Sequence, residues 1–126
     1  PAHTFVGHFI GSPGMNFLAA KSAHGTIEVA GTPLVPTREL PAGELKIGIR
    51  PEYLRLAPAG AGGAVPATGA QVQDVGTYTM VSAHADGSPL KVRLHPDEQP
   101  PAVGDTVWLR VLDAHTCYYK DEELVA

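Results

Sequence analysis

The chain has 126 residues, of which 44% are hydrophobic and 17% charged, a balance that suits one folded domain and excludes a disordered tail. Its net charge is −4, and its nine Lys and Arg residues are scattered, which argues against nonspecific binding to nucleic-acid backbones or anionic lipid. No apolar run nears the ~20 residues needed to span a bilayer, and a single cysteine, Cys117, excludes an internal disulfide and fits a reducing compartment.

The chain opens on Pro1-Ala2-His3-Thr4-Phe5-Val6, without the charged and apolar blocks of a signal peptide. The absence of an initiating methionine suggests a piece cut from a longer protein. Phe5 and Phe9, with Val6 and Ile10, stand at i and i+4 spacing and predict a short N-terminal helix. Gly11 stops it, and Ser12-Pro13-Gly14 turns the chain away, since proline cannot continue a helix. Met15, Phe17 and Leu18 then lead into the next element, with Asn16 expected to bond its own loop backbone.

Beyond this point the period becomes two. Thr26 to Ala30 alternates and is closed by Gly31-Thr32-Pro33. Leu45, Ile47 and Ile49 share one face of a strand that ends at Arg50-Pro51-Glu52. Residues 57–69, rich in Ala, Gly and Pro, read as a mobile surface loop. Four further strands are predicted over 70–75, 78–85, 90–95 and 106–112, with Asp86-Gly87 as a hairpin turn. Fourteen glycines and twelve prolines leave little room for long helices, and short strands joined by such turns describe a small barrel or sandwich.

Two segments carry a family resemblance: Phe9-Ile10-Gly11-Ser12-Pro13-Gly14-Met15-Asn16-Phe17-Leu18, and Gly48-Ile49-Arg50-Pro51-Glu52. In this order they resemble the carboxy-terminal regulatory domain of ATP-binding subunits from bacterial ABC importers of the sugar and glycerol-3-phosphate (maltose-type) group. Val103-Gly104-Asp105-Thr106-Val107-Trp108-Leu109 is similar to a turn and strand of the same domains. Gln71 to Gly76 matches a family strand with Asp74 and Val75 in place of its usual Glu and Leu, and the His115–Asp121 stretch departs from the family pattern.

The resemblance implies a mainly β, OB-like small barrel of the TOBE type. Residues 1–18 would be a helix and linker from the end of a missing ATPase domain, and 19–126 the β regulatory domain. It implies no enzyme activity or cofactor for this chain, with ATP and Mg belonging to the full-length subunit. The implied partners are that ATPase domain, a second copy of the subunit, the transporter's membrane subunits and a cytoplasmic regulator. Such a subunit sits on the cytoplasmic face of the bacterial inner membrane.

Searching the residues for chemistry gives interface candidates only. No GxxxxGK[ST] loop is present, and Gly60, Gly62 and Gly63 lack the lysine that such a loop needs. The six histidines form no HxH or HExxH pattern, leaving His84 and His95 across the hairpin as the pair to check. Cys117 with His115 lacks an orienting third group nearby in sequence. Ser12, Pro13, Met15 and Asn16 form one candidate interdomain turn, and Arg50, Pro51 and Glu52 the other, where a guanidinium can grip a carboxylate or a neighbouring subunit. An oxyanion-sensing barrel and an OB-type nucleic-acid module are the alternatives. The acidic charge and few aromatics (one Trp, four Tyr, three Phe) weigh against the second.

Overall fold

The computed structural model of the protein describes residues 5–8 and 14–125. Among the described residues, twelve strands in chain order fall into two sheets. The larger contains β1 (Phe5–His8), β2 (Asn16–Ala23), β3 (Thr26–Val29), β4 (Thr32–Leu34), β5 (Gly43–Ile49), β11 (Cys117–Lys120) and β12 (Glu123–Val125). Its order is β1-β12-β11-β5-β2-β3-β4. The smaller contains β6 (Arg55–Ala57), β7 (Ala64–Asp74), β8 (Thr79–Ala85), β9 (Ser88–Arg93) and β10 (Val107–Arg110), in the order β6-β10-β7-β8-β9. All the strand pairings are antiparallel. The architecture is the expected mainly β, OB-like one, with open sheets.

The helix expected at the N-terminus is not seen among the described residues, and Phe9 and Ile10 lie outside them. Phe5 to His8 run as a strand, with Phe5 opposite Val125 and His8 opposite Glu123. Phe and Val are residue types that suit a pleated surface, and the strand that pairs with them lies at the other end of the chain. Ser12 and Pro13 lie outside the described residues.

Period-two alternation does place the core elsewhere. Leu18 and Ala20 of β2, Ile27 and Val29 of β3, and Leu45, Ile47 and Ile49 of β5 all turn inward. They meet Val81 and Ala83 of β8, Leu90 and Val92 of β9, and Val107 and Leu109 of β10 in one hydrophobic cluster. Burying each such large aliphatic side chain contributes roughly 1.5–3 kcal/mol. The β8–β9 hairpin turns at Asp86-Gly87, whose φ values of 50° and 81° are both positive, as a tight two-residue turn requires.

The surface loop expected over 57–69 is only partly a loop. Pro58, Ala59, Gly60, Gly62 and Gly63 are exposed, but β7 begins at Ala64, and Ala64, Val65 and Ala67 are buried. β7 changes partners along its length: Ala64 to Ala67 pair with β10, and Thr68 to Asp74 with β8. A register shift follows Thr68, and Gly69 takes a φ of 74° at that corner. Pro66, which has no N–H to donate, sits in the part of β7 that precedes its pairing with β8.

Candidate functional site

The described parts of the two candidate turns, Met15-Asn16 and Arg50-Pro51-Glu52, contact elements of the other sheet or the loops beside it. Asn16, first residue of β2, is 7% exposed and reaches β9 of the other sheet. Its Nδ2 donates to the Lys91 carbonyl and its Oδ1 accepts from the Lys91 N–H, both at 2.8 Å. The side-chain amide therefore replaces a strand partner on the open edge of β9. It bonds a backbone 75 positions away, not its own loop.

Met15 packs on the outer face of the large sheet with Phe17 and Tyr119. The Phe17 and Tyr119 rings meet edge to face at 5.9 Å, and the Tyr119 hydroxyl points at the Met15 sulfur from 3.9 Å. Beneath them lies Gly48. A Cβ there would sit 2.7 Å from Met15 Sδ, 3.0 Å from Phe17 Cε1 and 3.1 Å from Tyr119 Cε2. The glycine is needed because three larger side chains close over its backbone. The two sequence segments that suggested a family are thus joined through Met15, Phe17 and Gly48.

Arg50 is exposed and precedes a single 3-10 turn, Pro51–Tyr53, with proline at its first position. The Tyr53 N–H donates back to the Arg50 carbonyl at 3.0 Å. Glu52 is half-buried, and its backbone carbonyl accepts from His95 Nε2 at 2.8 Å. Tyr53 stacks flat on His115, with centroids 3.8 Å apart. The turn is therefore gripped from both sides, by the loops after β9 and β10.

Sequence reasoning missed the polar knot beside this turn. Glu98, its side chain 6% exposed, accepts from the Leu56 N–H at 2.7 Å and the His95 N–H at 2.9 Å, with Arg55 Nε at 3.4 Å. Arg55 also bonds Asp97 at 2.9 Å. Nothing in the His95-Pro96-Asp97-Glu98 run marks Glu98 as buried, since its partners come from β6, about forty residues earlier.

Next to the knot is an open cleft of about 550 Å³, lined by Glu52, Thr77, Tyr78, Arg93, His95 and Pro100 among others. The Arg93 guanidinium lies over the Tyr78 ring, 4.1 Å from its centroid. His84 is opposite Pro89 in the hairpin, whereas His95 lies past the far end of β9, so the two histidines are not brought together. Among the described residues, no three His, Cys, Asp or Glu side chains gather in a way that would hold a metal. Cys117 is half-buried, its sulfur 3.8 Å from the His115 carbonyl.

Two phenols depart from ordinary behaviour. Burial pushes the Tyr118 phenol up, against the pull of Arg38, with Asp113 and Cys117 adding to the rise. Tyr119 is pushed up by burial first and then by Cys117, while Arg50 opposes the shift.

The family profile described as TOBE domain matches residues 47–118. The sn-glycerol-3-phosphate import ATP-binding protein UgpC of Paracoccus denitrificans (strain Pd 1222) is 35% identical over 109 residues, covering 85% of this chain and 30% of that protein. UgpC of Salmonella typhi is 37% identical over 117 residues, 88% of this chain and 32% of the relative. UgpC of Vibrio vulnificus (strain YJ016) is 35% identical over 124 residues, 91% of this chain and 32% of the relative. The chain spans about a third of the length of these curated relatives.

Proposed function

This chain belongs to the TOBE-domain family, and from that premise we propose that it is the regulatory domain of an ATP-binding subunit of an ABC importer for glycerol-3-phosphate-like solutes or sugars. The observation that carries this reading is the 35–37% identity to import ATP-binding proteins along 85–91% of the chain. The same relatives favour it over an oxyanion sensor or a nucleic-acid module.

On this reading the chain itself is not an enzyme and holds no cofactor. ATP and Mg bind an ATPase domain joined to the β domain by way of residues 1–18, of which β1 and the start of β2 are already paired into the large sheet. That subunit docks on the importer's membrane subunits at the cytoplasmic face of the inner membrane and pairs with a second copy of itself. The junction around Ser12, Pro13, Met15 and Asn16 transmits motion, and Asn16 supports this because it carries the incoming chain into both sheets. Arg50, Pro51 and Glu52 form a turn, exposed at Arg50 and half-buried at Pro51 and Glu52, that suits a contact with a neighbouring subunit or a cytoplasmic regulator. Regulation consists of contacts that differ between the ATPase's two arrangements, biasing one of them.

The reading frame upstream of Pro1 is expected to run through a Walker A loop and an ABC signature. In the full subunit, deletion of residues 19–126 is expected to leave ATP binding in place while changing subunit pairing, uptake or its control. Unchanged assembly, uptake and control after that deletion would sink the proposal.

A further inference from the structure

The cleft beside the 3-10 turn holds two opposite charges that do not pair with each other. The Arg93 guanidinium carbon lies over the Tyr78 ring, 4.1 Å from its centroid, and among the described residues no carboxylate lies within ion-pair distance of it. Stacking uses the face of the guanidinium and leaves its in-plane N–H donors available. Glu52, on the turn fixed by Pro51 and by the His95 hydrogen bond to its carbonyl, likewise has no cation against its carboxylate among the described residues. The cleft's other carboxylate, Glu98, is already committed to Arg55 and two backbone N–H groups. With Glu98 committed to Arg55, the cleft lining keeps one positive residue, Arg93, and one negative residue, Glu52, on separate elements.

Two fixed unlike charges facing one cleft match a ligand that carries the reverse pair. Leu94, Pro96 and Pro100 supply apolar wall, and Thr77 and Thr79 supply hydroxyls. The volume of about 550 Å³ lies inside the range of small-molecule sites. We infer that this cleft binds a small zwitterion of the amino-acid or dipeptide class, its carboxylate on Arg93 and its ammonium on Glu52. A dianion such as phosphate would meet one guanidinium and an opposing carboxylate, and so is not the ligand. The inference goes beyond the importer reading and is tested on this chain alone, so either can fail without the other.

The cleft is also connected to the sheet joint. Lys91, which Asn16 clasps, stands two positions before Arg93 on the same strand. An occupant of the cleft therefore bears on the strand through which β2 is tied down.

The test is a backbone-amide NMR titration of the chain with leucine, γ-aminobutyrate and Gly-Leu, which differ in charge separation. Butyrate and butylamine serve as probes with one charge each. Saturable shifts centred on residues 52, 77–79 and 93–98 are expected with at least one zwitterion, with either single-charge probe about tenfold weaker or worse. Arg93→Gln and Glu52→Gln are each expected to weaken binding about tenfold, whereas Lys21→Gln, on β2 of the other sheet and not among the cleft's lining residues, leaves it unchanged. The inference is overturned by an absence of saturable shifts with all three zwitterions, or by butyrate or butylamine binding as well as they do. Unchanged affinity in the Arg93 and Glu52 variants would overturn it equally. The comparison of probes on the unaltered chain decides the matter even if a variant fails to fold.

Discussion

Asn16 and Gly48 show how much a single position can carry in this fold. Replacing Asn16 with Ala leaves the Lys91 N–H and C=O without their partner at a part-buried site, and an unsatisfied buried group costs about 1–3 kcal/mol. Asn16→Ala is expected to lower unfolding free energy by about that much in urea titration, and Asn16→Asp to do no better, because it keeps the acceptor and loses the donor. Gly48→Ala forces a methyl against Met15, Phe17 and Tyr119 and is expected to cost about 1–3 kcal/mol. Adding Met15→Ala should recover part of the loss, which a double-mutant cycle would read directly. The phenols predict an alkaline limit. Tyr118 and Tyr119 are raised in the folded state, so the unfolded chain releases these protons first. Stability is then whole below about pH 10 and falls as pH climbs through the folded-state values. Tyr118→Phe is expected to flatten that fall, followed by tyrosinate absorbance and denaturant titration at rising pH.

The loop after β9 is held to β6 by one buried carboxylate and one exposed one, and the two should behave differently. Glu98→Gln is expected to destabilise by about 1–3 kcal/mol, since it disturbs two backbone N–H bonds and leaves Arg55 less well paired. Asp97→Asn, at a side chain 72% exposed, is expected to change stability by less than about 1 kcal/mol. Thermal unfolding of the two variants side by side separates these outcomes. Elements were legible in the sequence where one strand face is buried and the other wet, as in Thr26–Val29 and Ser88–Arg93. They were obscure where the deciding partner is distant. Phe5, Val6, Phe9 and Ile10 fit helical spacing as well as an apolar strand, and β12 settles the matter for Phe5–His8 from the far end of the chain. Ala64-Val65-Pro66-Ala67 reads as loop by composition, yet small side chains suit a strand whose alanines and valine are buried beside β10. Of the candidate site, the sequence pointed to Met15, Asn16, Arg50, Pro51 and Glu52 but not to Lys91 or Tyr119, which reach Asn16 and Met15 only through the fold, nor to the buried Glu98.

At the scale of the whole molecule, the ends of the chain are neighbours in one sheet. β12 lies between β1 and β11, so removing residues 121–126 is expected to release β1 as well as to lose β12. Amide hydrogen exchange should show protection lost at residues 5–8 while Val81 and Val92 of the other sheet keep theirs. Retained protection at 5–8 would mean that β1 has a second anchor.

That adjacency also sets a schedule for synthesis. Phe5 faces Val125 across the sheet, so about 120 residues must be translated before β1 can meet its partner. At about 5–20 residues per second this is a wait of roughly 6–24 s. Throughout it, the first strand leaves the ribosome with its backbone donors and acceptors unmatched. β1 is therefore open to mispairing until β12 is made.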